Sequence, residues 1–150
     1  MKQMRIVFSV VAILLLQFLE AQKKQPLKII DAFSQHWVSG APGGKTGKNY
    51  QIKILVNTDR KIEFKNLWLG KENVPFNLEF FWLDVSRKIV KGDSVLLTYN
   101  EVYAAERKSE NTKRLPIQYK GEALIESLID GKAHYLIVSK IYTGKVLLTQ

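Results

Sequence analysis

The segment SGAPGGKTGKNYQIKILV, residues 39–56, decides the fold: its first half ends in Gly-Lys-Thr and its second half alternates apolar with polar. A phosphate-binding loop needs glycine, four residues, then Gly-Lys-Ser/Thr, so that successive backbone N–H groups curl around the phosphates at the N-terminus of a helix. Counting five back from Gly44 gives Ser39, so the first glycine is missing. After Thr46 come Gly47, Lys48 and Asn49, and then Tyr50, Ile52, Ile54 and Val56 alternate with Gln51, Lys53 and Leu55. That is the period of a half-buried strand, not of a helix. Gly40, Gly43, Gly44 and Gly47, with Pro42 among them, therefore read as a tight exposed connection between a strand ending near Trp37 and one starting at Tyr50. Neither a nucleotide nor any other cofactor is expected. Phe80–Asp84, FFWLD, imitates the strand-then-aspartate element that holds magnesium in nucleotide-binding folds, but the chain shows no βαβ pattern around it.

The same period recurs outward from this segment. Ile62 and Phe64 show it, as do Val95, Leu97 and Tyr99, then Ile117 and Tyr119 continuing through Ala123 and Ile125, then Tyr135, Ile137 and Ile141. Val146–Thr149 is a short terminal strand candidate. Turn chemistry separates these runs: NTDRK after Val56, KGD at residues 91–93, and Asp130-Gly131, which suits a two-residue hairpin with positive φ. Residues 117–129 and 133–142 should then pair antiparallel. AAERKSENTKRLP, residues 104–116, is polar and closed by a proline; it reads as a long loop, with a short exposed helix as the alternative.

These runs predict a mainly β fold, an antiparallel two-layer β-sandwich of about seven or eight strands, with an immunoglobulin-like arrangement open to it and a small closed barrel as the alternative. Phe33, Trp37, Tyr50, Phe64, Trp68, Phe80 and Trp82 are expected to fill the space between the layers. Phe80, Phe81, Trp82 and Leu83 are consecutive, so both faces are apolar there, as in a central strand, a bulge, or a strand with one face covered by a partner.

Residues 1–21 read as a signal peptide. Lys2 and Arg5 make a basic start, IVFSVVAILLL at residues 6–16 has the length of a signal-peptide apolar core, and Ala21 stands at a cleavage point. A permanent membrane anchor needs roughly 20 apolar residues, and Gln17 and Glu20 break this run, so no transmembrane span is expected after processing. The reading continues with an N-terminal tether at 22–27 and a single sandwich domain at 28–150, exported to the periplasm or beyond. There is no cysteine, which excludes a disulfide framework, thiolate zinc, a cysteine nucleophile and a lipid-modified N-terminal cysteine. Formal charge is +9 and falls to about +8 when the leader leaves. Lysine and arginine are spread through the chain, and the lack of any run of five or six like charges speaks against a nucleic-acid arm.

Chemistry-bearing patterns are few. His36 and His134 are the only histidines and read as strand-surface residues. No G-x-S-x-G elbow and no DxDxDG calcium loop occurs. The nearest carboxylate pairs are Glu79 with Asp84 and Glu122 with Glu126; the second pair would lie roughly 13 Å apart along a strand, wider than glycoside hydrolysis uses. No catalytic, metal or cofactor residue is therefore assigned.

QHWVSGAPGGKTGKNYQIKI (35–54), IEFKNLWLG (62–70) and YKGEALIESLIDGKAHYLIVSKI (119–141) together resemble small exported β-rich proteins of the Bacteroidetes type, which show a Trp-x-x-Gly...Gly-x-x-Tyr segment, a Leu-Trp strand and a Tyr-x-Gly-x-Ala-Leu hairpin. The resemblance covers Gln35 to about Tyr142, with Trp37, Gly40, Gly44, Gly47, Tyr50, Trp68, Tyr119 and Gly121 as shared positions. It implies export and a β fold, and implies no activity.

Three functions are open to this chain. The first, which the sequence favours, is a non-catalytic binding or structural module of the periplasm or cell envelope that holds a partner protein through loops or an exposed strand edge. The second is a surface module for a polyanion or anionic glycan, contacting it through Lys45, Lys48, Arg107, Lys108, Lys113 and Arg114. The third is an enzyme whose carboxylate pair meets only in three dimensions.

Overall fold

The computed structural model describes residues 25–81, 87–103 and 113–149. The leader, Trp82, Leu83 and Asp84, and residues 104–112 with Arg107 and Lys108 lie outside the described residues. Strands come in sequential pairs: β1 (Leu27–Ser39) and β2 (Thr46–Val56), β3 (Ile62–Leu69) and β4 (Glu72–Val74), β5 (Asn77–Phe80) and β6 (Ser94–Tyr103), β7 (Ala123–Ile129) and β8 (Lys132–Val138), β9 (Tyr142–Thr143) and β10 (Leu147–Thr149). Each pair goes to the opposite sheet from the last. The long sheet has the order β10-β1-β2-β6-β5, with β9 also on β1, and the short sheet has the order β4-β3-β7-β8. The fold is thus a two-layer, mainly β sandwich and not a closed barrel. Its strands beyond the expected seven or eight are β4 and β9, three and two residues long, too short for alternation to reveal.

The alternating residues of the opening segment explain the core. Ile52, Ile54 and Val56 on β2 face inward beside Ala32 and Leu27 on β1 and Val95 and Leu97 on β6, and all are buried against Phe64, Leu67, Ile125 and Val138 of the short sheet. Thr46 opens a strand, so no helix follows the glycine-rich segment. Gly43 takes φ 73° in the turn itself.

Four expectations are corrected. Leu27, the last residue of the expected tether, is fully buried and already part of β1, so the sandwich begins one residue earlier than expected. The strand expected from Ile117 begins only at Ala123, and its partner ends at Val138. Residues 113–121 lie instead over the outer face of the short sheet, because Trp68 and Leu124, cross-strand neighbours on that face, are both buried and need cover. Trp68 Nε1 donates to the Lys113 carbonyl at 3.4 Å, and the Tyr119 hydroxyl donates to the Gly70 carbonyl at 2.5 Å. Three aromatics expected between the layers are elsewhere: Trp68 is on the outer face of the short sheet, Trp37 lies over Gly47 with its Nε1 donating to Asn100 Oδ1 at 3.1 Å, and Phe33 packs on Gly144. Finally, the C-terminal strands run parallel to β1, with Phe33 opposite Tyr142 and Trp37 opposite Leu147. The hairpin at Asp130-Gly131 is as expected, with φ 49° and 78° and Ile129 paired to Lys132.

The two sheets differ in length. β1, β2 and β6 have 13, 11 and 10 residues against 8, 7 and 7 in β3, β7 and β8, so the long sheet overhangs by roughly 10 Å at about 3.3 Å per residue. The row Ser34–Tyr50–Tyr99 is at the lip, and His36–Lys48–Glu101 and Val38–Thr46–Tyr103 project past it.

A Cβ on Gly47 would sit 2.1 Å from the Glu101 carbonyl oxygen and 2.6 Å from the Trp37 ring. We expect Gly47→Ala to lower stability by about 2 kcal/mol, as overpacking does, with the loss read as a lower urea midpoint at unchanged slope; an unchanged midpoint would show that Trp37 does not seal on Gly47.

Candidate functional site

The lip of the overhang carries a cleft of about 400 Å3, where Ser34, Lys48 and Tyr50 of the long sheet face Gly70 and Glu122 of the short one and Thr143 of β9 closes the side. Alternation places the first three: they are the inward positions that follow Ala32 on β1 and precede Ile52 on β2. Glu122 stands just before β7, held by its own N–H on the Val138 carbonyl at 2.8 Å and by its carbonyl, which accepts the Gly70 N–H at 3.0 Å.

The polar groups at this lip are used to fasten the C-terminal strand. The Ile141 N–H donates to Glu122 Oε2 at 2.7 Å. Ser34, fully buried, has its hydroxyl 3.2 Å from Thr143 Oγ1 and 3.5 Å from the Tyr142 carbonyl, while its own carbonyl accepts the Gly144 N–H at 2.8 Å. Gln35 Nε2 donates to the Lys145 carbonyl at 2.9 Å. A Cβ on Gly144 would sit 2.3 Å from the Phe33 ring, so the chain can pass β1 there only as glycine. Across the lip the Tyr50 hydroxyl donates to Glu101 Oε2 at 3.3 Å, and Lys48 Nζ lies 5.0 Å from the Tyr50 ring centroid. Burial, and then the neighbouring Glu101 carboxylate, hold the Tyr50 phenol well above its ordinary range, so it remains a proton donor at any physiological pH.

Fastened in this way, β9 and β10, joined by residues 144–146, form the outermost margin of the long sheet among the described residues. Tyr142, Val146 and Leu148 are 61%, 58% and 80% exposed, and Leu147 is exposed beside them. Natural edges are blunted by short strand length, lysine, proline, inward charge or a covering loop; this one has strands of two and three residues and a single lysine, Lys145, but no proline between Tyr142 and Thr149, and its apolar side chains remain exposed. At the other margin β5 is four residues long. Of the FFWL run, Phe80 packs against the core and Phe81 is exposed under Lys53 Nζ, 4.8 Å from its ring centroid.

The basic residues singled out from the sequence do not form one surface. Lys45 is exposed in the β1–β2 turn, where its carbonyl accepts the Ser39 N–H at 3.0 Å, and Lys48 lies in the cleft. Lys113 is on the outer face of the short sheet, its Nζ donating to Asn66 Oδ1 at 3.0 Å, with the exposed Arg114 next to it. Glu122 and Glu126 are likewise separated: Glu126 accepts from Asn66 and Tyr135 on that outer face. Glu79 accepts the Thr98 hydroxyl at 3.0 Å. Among the described residues no three His, Asp or Glu side chains gather in the manner of a metal site, and no helix is long and apolar enough to cross a membrane.

Sequence reasoning did not reach Ser34, and it singled out Glu122 only as a carboxylate pair with Glu126, because no local pattern marks either residue as an anchor of the C-terminal strand. The apolar run Val146–Leu148 was a usable signal for an unprotected edge. Of the histidines, His36 lies 6.2 Å from the Tyr103 ring. His134 is half-buried on β8, its Nδ1 has no hydrogen-bond partner among the described residues, and burial followed by the Arg60 charge lowers its pKa. No family model, curated protein or solved structure matches the chain.

Two outcomes follow from these contacts. Glu122→Ala should cost roughly 1 kcal/mol, the net worth of one hydrogen bond, and should speed amide exchange selectively over residues 141–149; uniform or absent acceleration would show that Glu122 does not fasten the strand. Because the folded state disfavours protonated His134, unfolding takes up a proton that folding does not, so stability contributed by this group is complete above about pH 6.5 and is lost as pH falls below it. His134→Gln should flatten the decline in urea midpoint between about pH 7 and 5 relative to the parent, and parallel declines would contradict the assignment.

Proposed function

We propose that this chain is an exported, non-catalytic binding module of the periplasm or cell envelope, which holds a partner protein by strand addition to the β9–β10 edge. The observation that carries this reading is the exposure of Tyr142 on β9, Leu148 on β10 and Val146 between them, at the outermost margin of the long sheet among the described residues. The signal-peptide pattern at residues 1–21 supports export. An added strand gains main-chain hydrogen bonds along the edge and specificity from alternate side chains. Burying three such side chains is worth roughly 5–8 kcal/mol, of the same order as the freedom lost on association, so a stable partner must also touch surface beside the edge.

The test joins capture to position. Parent protein and a Val146→Lys/Leu148→Lys variant with the same melting temperature are compared for retention of envelope proteins, and a photoreactive side chain at position 148 is used to crosslink the retained protein. We expect the variant to lose a protein that the parent retains and that crosslinks from position 148. An unchanged retained set, or a retained protein that crosslinks from a second photoreactive probe at position 81 on the opposite margin and not from position 148, would overturn the reading.

A further inference from the structure

The end of the sandwich opposite the β1–β2 turn holds a second cavity, of about 590 Å3, walled by residues 59–62 and 87–90. Four of its lining side chains are cationic: Arg60, Lys61, Arg87 and Lys88. The one lining carboxylate, Asp59, already accepts the Lys91 N–H on Oδ1 at 3.2 Å. The cations come from two separate connections, which explains why no cluster shows in the sequence.

Both arginines are held by neighbours. Arg60 Nε lies 3.4 Å from Thr58 Oγ1 and 3.9 Å from Asp130 Oδ2. Arg87 donates to Asp93 Oδ1 at 2.8 Å, and Asp93 is itself fixed: Oδ2 accepts the Val90 N–H at 2.9 Å and its carbonyl accepts the Val56 N–H at 2.9 Å. Such restraint lowers the side-chain entropy that binding would otherwise cost. The remaining lining is aliphatic, with Ile62 and Ile89 packed on the core and Val90 exposed. The positive field is felt by a neighbour, since Arg60 is one of the two causes that disfavour protonated His134.

A ligand suited to these walls needs an acid group for the guanidinium forks and a compact apolar face for the isoleucines. A flat lipid surface does not enter a concave site of this size, which lies within the usual range for small-molecule pockets, roughly 300–1,000 Å3. We infer that this cavity takes an acidic sugar unit of an anionic glycan, its carboxylate or sulfate paired with Arg60 and Arg87 and its ring face on Ile62 and Ile89. Lys61 and Lys88 add attraction that salt screens. The site is at the far end from the β9–β10 edge and does not depend on it.

The experiment is calorimetric titration of the purified protein with a sulfated, uronic-acid-containing tetrasaccharide at 50 and 300 mM salt. Its neutral counterpart and vesicles of anionic phospholipid serve as comparisons. We expect binding that weakens several-fold at the higher salt, no binding of the neutral sugar, and a tenfold or greater rise in Kd for Arg60→Gln. Arg87→Gln removes a loop contact as well, so the paired variant Lys61→Gln/Lys88→Gln is the second arm, with a rise of several-fold expected at unchanged melting temperature. Lys45→Gln should bind as the parent does. Unchanged Kd in both arms, equal binding of the neutral sugar, or a preference for the vesicles would each overturn the inference.

Discussion

Along β2 the inward positions run Val56, Ile54, Ile52, Tyr50 and Lys48, and Lys48 is paired across the sheet with Glu101 of β6. Burying two charges costs several kcal/mol each unless their geometry and remaining hydrogen bonds are well satisfied, so the covered core must end one row earlier, at Tyr50 and Tyr99. The short sheet ends at that level with Leu69, Ala123 and Val138. Its length is therefore fixed by a change of side-chain type on the sheet it covers. The overhang, the polar cleft at the lip and the long β1–β2–β6 ribbon all follow from that change.

The same row governs the far side of β1. Ser34 is opposite Tyr50 on one flank and opposite Thr143 on the other, so the fully buried hydroxyl has its partner on the C-terminal strand. A buried hydroxyl without a partner costs roughly 1–3 kcal/mol, which gives β9 a specific place to dock. Glu122 adds a second anchor from the other sheet. The chain enters this edge from β8 by a crossing of residues 139–141, and that crossing sets it parallel to β1. Fastening β9 and β10 satisfies β1 but moves the margin, among the described residues, outward to Tyr142, Val146, Leu147 and Leu148.

Much of this architecture was legible in the sequence because alternation reports burial directly. Tyr50–Val56, Val95–Tyr99 and the Asp130-Gly131 hairpin read as strands and turn from side-chain period and positive-φ chemistry alone. Where the reading failed, a residue's environment was set by something distant. Ile117 and Tyr119 keep the strand period but serve as a cover over Trp68, and period cannot distinguish pairing from covering. Trp37 and Phe33 are large and on a strand, yet each meets a glycine, Gly47 or Gly144, on the face away from the core. The candidate sites were less legible still, since Ser34 with Thr143, and Arg60 with Arg87, are joined only by folding. The basic residues chosen from loops, Lys45, Lys48, Lys113 and Arg114, fall on different faces because sequence proximity to a turn says nothing about which sheet face the turn serves.

The account depends most on the C-terminal chain lying parallel on β1 with its outer margin open. Nuclear Overhauser contacts in the isotopically labelled protein test this directly. The account predicts contacts from the Phe33 ring to the Gly144 α-protons together with backbone contacts between Trp37 and Leu147, in the order of a parallel pair. Contacts in the reverse order, or a strand from elsewhere in the chain on the outer side of β10, would contradict it.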